Sequence, residues 1–185
     1  RYLKSIVYGG LDGTITTFAV VAGVTGANLS SAVVLILGFA NLIADGISMS
    51  TGDYLSSKAE KEYARAEMAR ERWEVENYPE GEKQETIELY MAKGISKPDS
   101  EKMTEIISKY KQPWVDMMMV DELGILQQER SPIKNALATF CSFVIFGFLP
   151  VLSYVIAKIF PNAQTHTFLT ACILTGAVLF ALGSL

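Results

Sequence analysis

Between Lys4 and Asp45 the chain carries one charged residue, Asp12, set in YGGLDGTITTFAVVAGVTGANLSSAVVLILGFANLIA. Few structures accommodate so long an apolar run. About 30 Å of hydrocarbon takes roughly 20 helical residues to cross, and in lipid the backbone must satisfy its own hydrogen bonds, which helices do. The run is long enough for two crossings joined by a turn from Gly26 to Ser31. A carboxylate inside the first crossing is costly there, and an intramembrane charge is by default a hypothesis about function.

The averages of 50% apolar and 19% charged residues would suit an ordinary globular domain, but they conceal a division. Residues 54–130 hold 17 of the 20 acidic and 12 of the 16 basic side chains, leaving both flanks almost free of charge. Four flank segments reach spanning length: about Ile6 to Gly26, Ser31 to Met49, Asn135 to Ala157 and Ala163 to Leu185. The expected fold is all-α, a multi-pass membrane helix bundle with a helical domain in the cytosol. Residues 1–53 form the first two spans, 54–131 the charged domain, and 132–185 the third and fourth spans. The chain starts at Arg1 without Met and stops at Leu185 while still apolar, so trimmed ends and a fifth span beyond them are expected. No signal-peptide pattern is visible.

Orientation follows from Lys and Arg beside the span ends. Arg1 and Lys4 precede the first span, Lys58, Lys61 and Arg65 follow the second, and Arg130 and Lys134 precede the third. Only Lys158 lies beyond the far end of the third, which places the charged middle in the cytosol. Cys141 and Cys172 fall inside spans and read as buried free thiols.

Gly9 and Gly13 form a small-xxx-small face that lets helices approach closely, with Asp12, Thr14, Thr16 and Thr17 beside it. In NLIADGISMSTGDYLSS, Asp45 and Met49 are four apart, so a carboxylate and a thioether share one helical face. Oxygen with thioether suits a borderline transition metal better than Mg²⁺ or Ca²⁺. Interhelical hydrogen bonding or snorkelling is the competing reading of the two carboxylates, and simple packing that of Met49.

Beyond Met49 no proline interrupts GDYLSSKAEKEYARAEMARERWEVEN, whose Ala, Glu, Lys and Arg favour helix, so the second span continues out of the membrane. Pro79 and Gly81 break it. A second helix is expected from about Glu82 to near Gly94, a C′ residue; a third from SKPDS to about Tyr110; and a short Met-rich one from Pro113. Glu71 and Glu74 are three apart, Glu82 and Glu85 three apart, Met118 and Glu122 four apart, and Glu67 adds a third acid to the first face. Like charges at this spacing repel, and a divalent cation would remove the penalty. The same spacing also describes a solvated charged helix, since Arg70, Arg72 and Lys83 are interleaved.

The strings YGGLDGTITTFAVVAGVTGA, NLIADGISMSTGDYLSSKAEKE and SPIKNALATFCSFVIFGFLPVLSY closely resemble the vacuolar iron transporter family, and the middle resembles its plant branch. The resemblance implies a homodimeric five-span carrier in the vacuolar membrane that moves Fe(II) from cytosol to vacuole in exchange for protons. It implies a path at the dimer interface lined by an aspartate and a methionine, matching Asp12 and Met49; the spacing of four adds Asp45 on the face of Met49. It also implies a cytosolic metal-binding domain whose ligands match Glu71, Glu74, Glu82, Glu85, Met118 and Glu122. Such ligands suit Fe(II) and admit Mn(II), Co(II) and Zn(II).

A Mn(II)-selective vacuolar transporter and a non-transporting membrane metal-sensing protein are the alternatives. No catalytic residue is singled out and no cofactor is expected. A ferritin-like di-iron enzyme would need Glu-x-x-His pairs, and the one histidine is His166. The middle is net acidic without a basic stripe, which disfavours nucleic acid, and no phosphate loop is present.

Overall fold

A computed structural model describes residues 2–126, 131–160 and 166–184. Among them the chain is helical throughout: α1 (Leu3–Gly26), α2 (Ser31–Asn77), α3 (Pro79–Ala92), α4 (Lys97–Ile107), α5 (Lys111–Asp121), α6 (Pro132–Ile159) and α7 (Thr167–Gly183). It divides into two compact units, Arg1–Ser57 with Arg130–Leu185, and Lys58–Glu129. Helix α2 contributes to both.

In the first unit three helices, α1, α2 and α6, are long and apolar enough to cross a membrane. At the expected fourth crossing the described residues form an apolar helix of 17 residues, Thr167–Gly183, at the short end of the spanning range. Ala163 and Leu185, the limits expected for it, lie outside the described residues, as do Arg1 and Arg130 of the orientation argument.

The α1–α2 turn owes its tightness to Asn28, at φ +53°. Leu29 N–H reaches the Val24 carbonyl at 3.1 Å and Asn28 N–H the Thr25 carbonyl at 3.0 Å, the paired bonds of a Schellman cap with asparagine in the left-handed position. Helix α1 then packs on α6 through glycine. A Cβ at Gly9 would lie 2.6 Å from the Thr139 carbonyl oxygen, and one at Gly147 would lie 2.7 Å from that of Gly13, so backbone meets backbone without intervening side chains. Val21, Val24, Val34, Val151, Tyr154 and Ala171 close an apolar core around this contact.

Several hydroxyls in this unit are satisfied within the protein. Thr14 and Thr175 donate to carbonyls one turn back, Gly10 and Ala171, each at 2.7 Å. Ser142 donates to the Ile6 carbonyl, tying α6 to α1, and Thr25 shares a 2.6 Å bond with Tyr154. Pro150 lies inside α6, where its missing N–H removes one rung of the ladder.

In the second unit α2 runs to Asn77 and Pro79 opens α3 at N1, three residues before the start expected from sequence. Proline is tolerated there because its absent N–H would be unpaired anyway. Gly94, at φ +88°, ends α3 as a Schellman cap, with Ile95 N–H on the Tyr90 carbonyl at 3.1 Å and Gly94 N–H on that of Met91 at 2.9 Å. Helix α5 begins at Lys111, two residues ahead of Pro113. Val75, Trp114, Val115, Met118 and Met119 form the core of this unit.

Candidate functional site

Two groups of side chains stand out, one in each unit. In the first unit, α2 presents Asn41, Asp45, Met49 and Asp53 at successive intervals of four, all half-buried. Asn41 Nδ2 donates to the hydroxyls of Thr16 and Thr17 at 3.3 Å each, and Thr16 donates to the Asp12 carbonyl at 2.8 Å. The Asp12 and Asp45 carboxylates lie within electrostatic reach of one another. Neither makes a side-chain hydrogen bond among the described residues. On α1, Asp12 shares its face with exposed Tyr8 and Ile15, whereas Gly9 and Gly13 turn to α6.

Asp53 behaves differently. Its carboxylate accepts from Thr139 of α6 at 2.5 Å, from Ser5 of α1 at 3.2 Å and from Ser57 of α2 at 3.3 Å. Ser57 in turn accepts from Asn135 Nδ2 at 3.1 Å. One carboxylate thus joins three helices. Nothing local in the sequence marks Asp53 apart from the interval of four continuing from Asp45 and Met49.

In the second unit, Glu71, Glu74, Glu82, Glu85 and Glu122 are brought together: burial first, and then mutual repulsion, raises the affinity of Glu71, Glu82 and Glu122 for protons. The Glu71 carboxyl is pushed up to about 6, with Glu122 and Glu74 as its repelling neighbours. Glu82 is pushed up to about 7, with Glu71, Glu85, Glu74 and Glu122 around it. Glu71 is 1% and Glu82 5% exposed, and one carboxylate oxygen in each of them is buried without a hydrogen-bond partner. Buried acceptors left unpaired are unfavourable.

Arg70 is the cation of this cluster, 3.2 Å from Glu67, 3.4 Å from Glu71 and 3.7 Å from Glu74. Glu67 therefore belongs with the five acids, a role its place on the first acidic face had signalled. Met118, fully buried, is placed by the Thr86 hydroxyl, 3.4 Å from its sulfur, and by the same helix turn that ends at Glu122. Among the described residues, no three His, Cys, Asp or Glu side chains are drawn together closely enough to hold an ion as they stand. The acids repel one another, and a divalent cation between them would turn that repulsion into attraction.

A bundle of apolar helices with isolated carboxylates on two of them, joined in one chain to a cluster of acids of which Glu71 and Glu82 are buried, defines an all-α membrane protein. The chain belongs to the VIT family, which matches residues 3–185. It is 46% identical to the "Vacuolar iron transporter" of Toxoplasma gondii over 98% of its own length and 62% of that protein. The protein of the same name in Plasmodium falciparum is 39% identical, covering 98% of this chain and 68% of its own. "Vacuolar iron transporter 1" of Arabidopsis thaliana is 35% identical, covering 83% and 62%. The chain thus spans roughly two thirds of the length of these relatives.

Proposed function

We propose that the protein is a carrier that moves Fe(II), and with it Mn(II), Co(II) and Zn(II), from cytosol into a vacuole in exchange for protons. It works as a homodimer in the vacuolar membrane, with residues 54–131 in the cytosol. The observation that carries this reading is the convergence of Glu71, Glu74, Glu82, Glu85 and Glu122, with an unpartnered buried oxygen on Glu71 and on Glu82, in the unit whose core holds the Met118 thioether. Carboxylate oxygens and one thioether fit borderline divalent metals, and the names of the relatives favour iron among them. An acidic cluster also raises the local cation concentration and shortens the search for a path.

The path is assigned to Asp12, Met49 and Asp45. Asp12 lies on the face of α1 that α6 does not cover, which suits a path completed by a second copy. A carboxylate that loses a proton to take metal and regains it on release is the minimum that exchange needs.

The test uses the full-length protein. Replacing Glu71, Glu74, Glu82 and Glu85 together by Ala should abolish high-affinity Fe(II) binding in detergent and slow Fe(II) uptake into proteoliposomes. Unchanged binding would overturn the assignment. Fe(II) uptake in the presence of Mn(II) reports the preference between the two.

A further inference from the structure

Trp114 and Thr86 are fully or almost fully buried polar side chains next to the acidic cluster, and neither is a metal ligand. The Trp114 indole N–H donates to Thr86 Oγ1 at 2.9 Å. Thr86 Oγ1 stands 2.7 Å from the Glu82 carbonyl oxygen and 3.4 Å from Met118 Sδ. A hydroxyl has one proton, so it can donate to only one of these acceptors at a time. The Trp114 N–H occupies an acceptor site and, with the 2.7 Å bond to the Glu82 carbonyl, fixes the oxygen's position.

We propose that Thr86 is a positioning residue that sets the metal preference of the cluster by holding the Met118 thioether in place without competing for it. This rests on the reading of Met118 as a metal ligand. The hydroxyl donates chiefly to the Glu82 carbonyl, 2.7 Å away and the stronger acceptor, and its oxygen, 3.4 Å from Met118 Sδ, confines a side chain that otherwise has three rotatable bonds. When a metal takes the sulfur lone pair, the hydroxyl proton stays directed at the Glu82 carbonyl, and every polar group stays paired. The anchor costs the incoming metal nothing, and Trp114 keeps Thr86 from following the metal.

Thioether ligation favours Zn(II) over Mn(II), which takes its bonding mainly from oxygen. Loss of the anchor therefore weakens Zn(II) selectively, whereas a general loss of folding weakens both ions alike. Outer-shell partners of metal ligands typically change affinity by roughly 10- to 100-fold.

The experiment measures Zn(II) and Mn(II) affinity by calorimetry on the detergent-solubilised full-length protein. Thr86→Val should lower Zn(II) affinity about tenfold and Mn(II) affinity less than about twofold. Thr86→Ser, which keeps the hydroxyl, should match the parent. Met118→Leu should reproduce the Zn(II)-selective loss, and adding Thr86→Val to it should change nothing further. Equal losses for both ions in Thr86→Val, or an unchanged Zn(II) affinity there while Met118→Leu loses it, overturns the role of Thr86 and leaves the metal site standing. Unchanged Zn(II) affinity in Met118→Leu overturns the ligand reading itself, and the proposal with it.

Discussion

The Arg70 guanidinium lies 3.2 Å from the Glu67 carboxylate, and from there it also reaches Glu71 and Glu74. A cation built into an acidic cluster competes with any metal that enters it. Arg70 is half exposed, at 51%, so water screens its pairs and the side chain can swing away at little cost. Arg70→Gln should therefore raise divalent-metal affinity modestly, by roughly two- to fivefold, with an effect that shrinks as salt is added. Titration at low and high ionic strength checks this; weaker metal binding in the variant would mean that Arg70 organises the site.

Protons are the second competitor. Glu71 and Glu82 bind protons up to about pH 6 and about pH 7, well above the ordinary glutamate value of 4.5, chiefly because they are buried. Metal needs the ionised forms, so affinity should fall roughly 100-fold from about pH 7.5 to about pH 5.5, with proton release on binding. Metal-free stability runs the other way. The folded acidic unit holds more protons than the unfolded chain between about pH 4.5 and about pH 7, so its stability falls as pH rises through that window. Thermal unfolding of the metal-free protein across that range should show the decline, and added Fe(II) should lessen it at the neutral end.

Asp53 offers a test of the first unit. Asp53→Ala strips an acceptor from Ser5 and from Thr139, the latter fully buried. Unfolding in detergent should reveal a loss of about 1–3 kcal/mol, and Asp53→Asn, which keeps one acceptor oxygen, should lose less. Equal stability of all three proteins would show that these bonds do not hold α1, α2 and α6 together.

The glycine contact between α1 and α6 predicts a position effect along a single helix. A Cβ at Gly13 would collide with the Phe143 carbonyl, whereas one at Gly23 would meet nothing within 4 Å. Gly13→Ala should destabilise by about 1–3 kcal/mol through overpacking. Gly23→Ala should be neutral or stabilising by up to about 1 kcal/mol, because alanine is the better helix former. Comparing melting temperatures of the two variants decides it.

What could be read from sequence was local. Pro79 and Gly94 bound α3 through their own backbone preferences, and Gly9 and Gly13 announce close packing by their spacing. The glutamate pairs were visible because a helix places residues three or four apart on one face. Their meeting across α2 and α3 was not, since it depends on how the helices pack. Asp53 was missed for the same reason: its partners Ser5 and Thr139 are 48 and 86 residues away. The turn at Asn28 carried only a weak signal, because asparagine adopts the left-handed conformation less often than glycine. The expected fourth span is matched by α7 over Thr167–Gly183, and the rest of its expected length lies outside the described residues.

The most direct test of exchange through Asp12 is simultaneous recording of Fe(II) entry and internal pH in proteoliposomes carrying the full-length protein or Asp12→Asn. Asparagine keeps the shape and cannot ionise, so the variant should lose both metal uptake and the proton movement linked to it. Fe(II) uptake that still drives the parent's pH change in Asp12→Asn would show that another group couples the two ions.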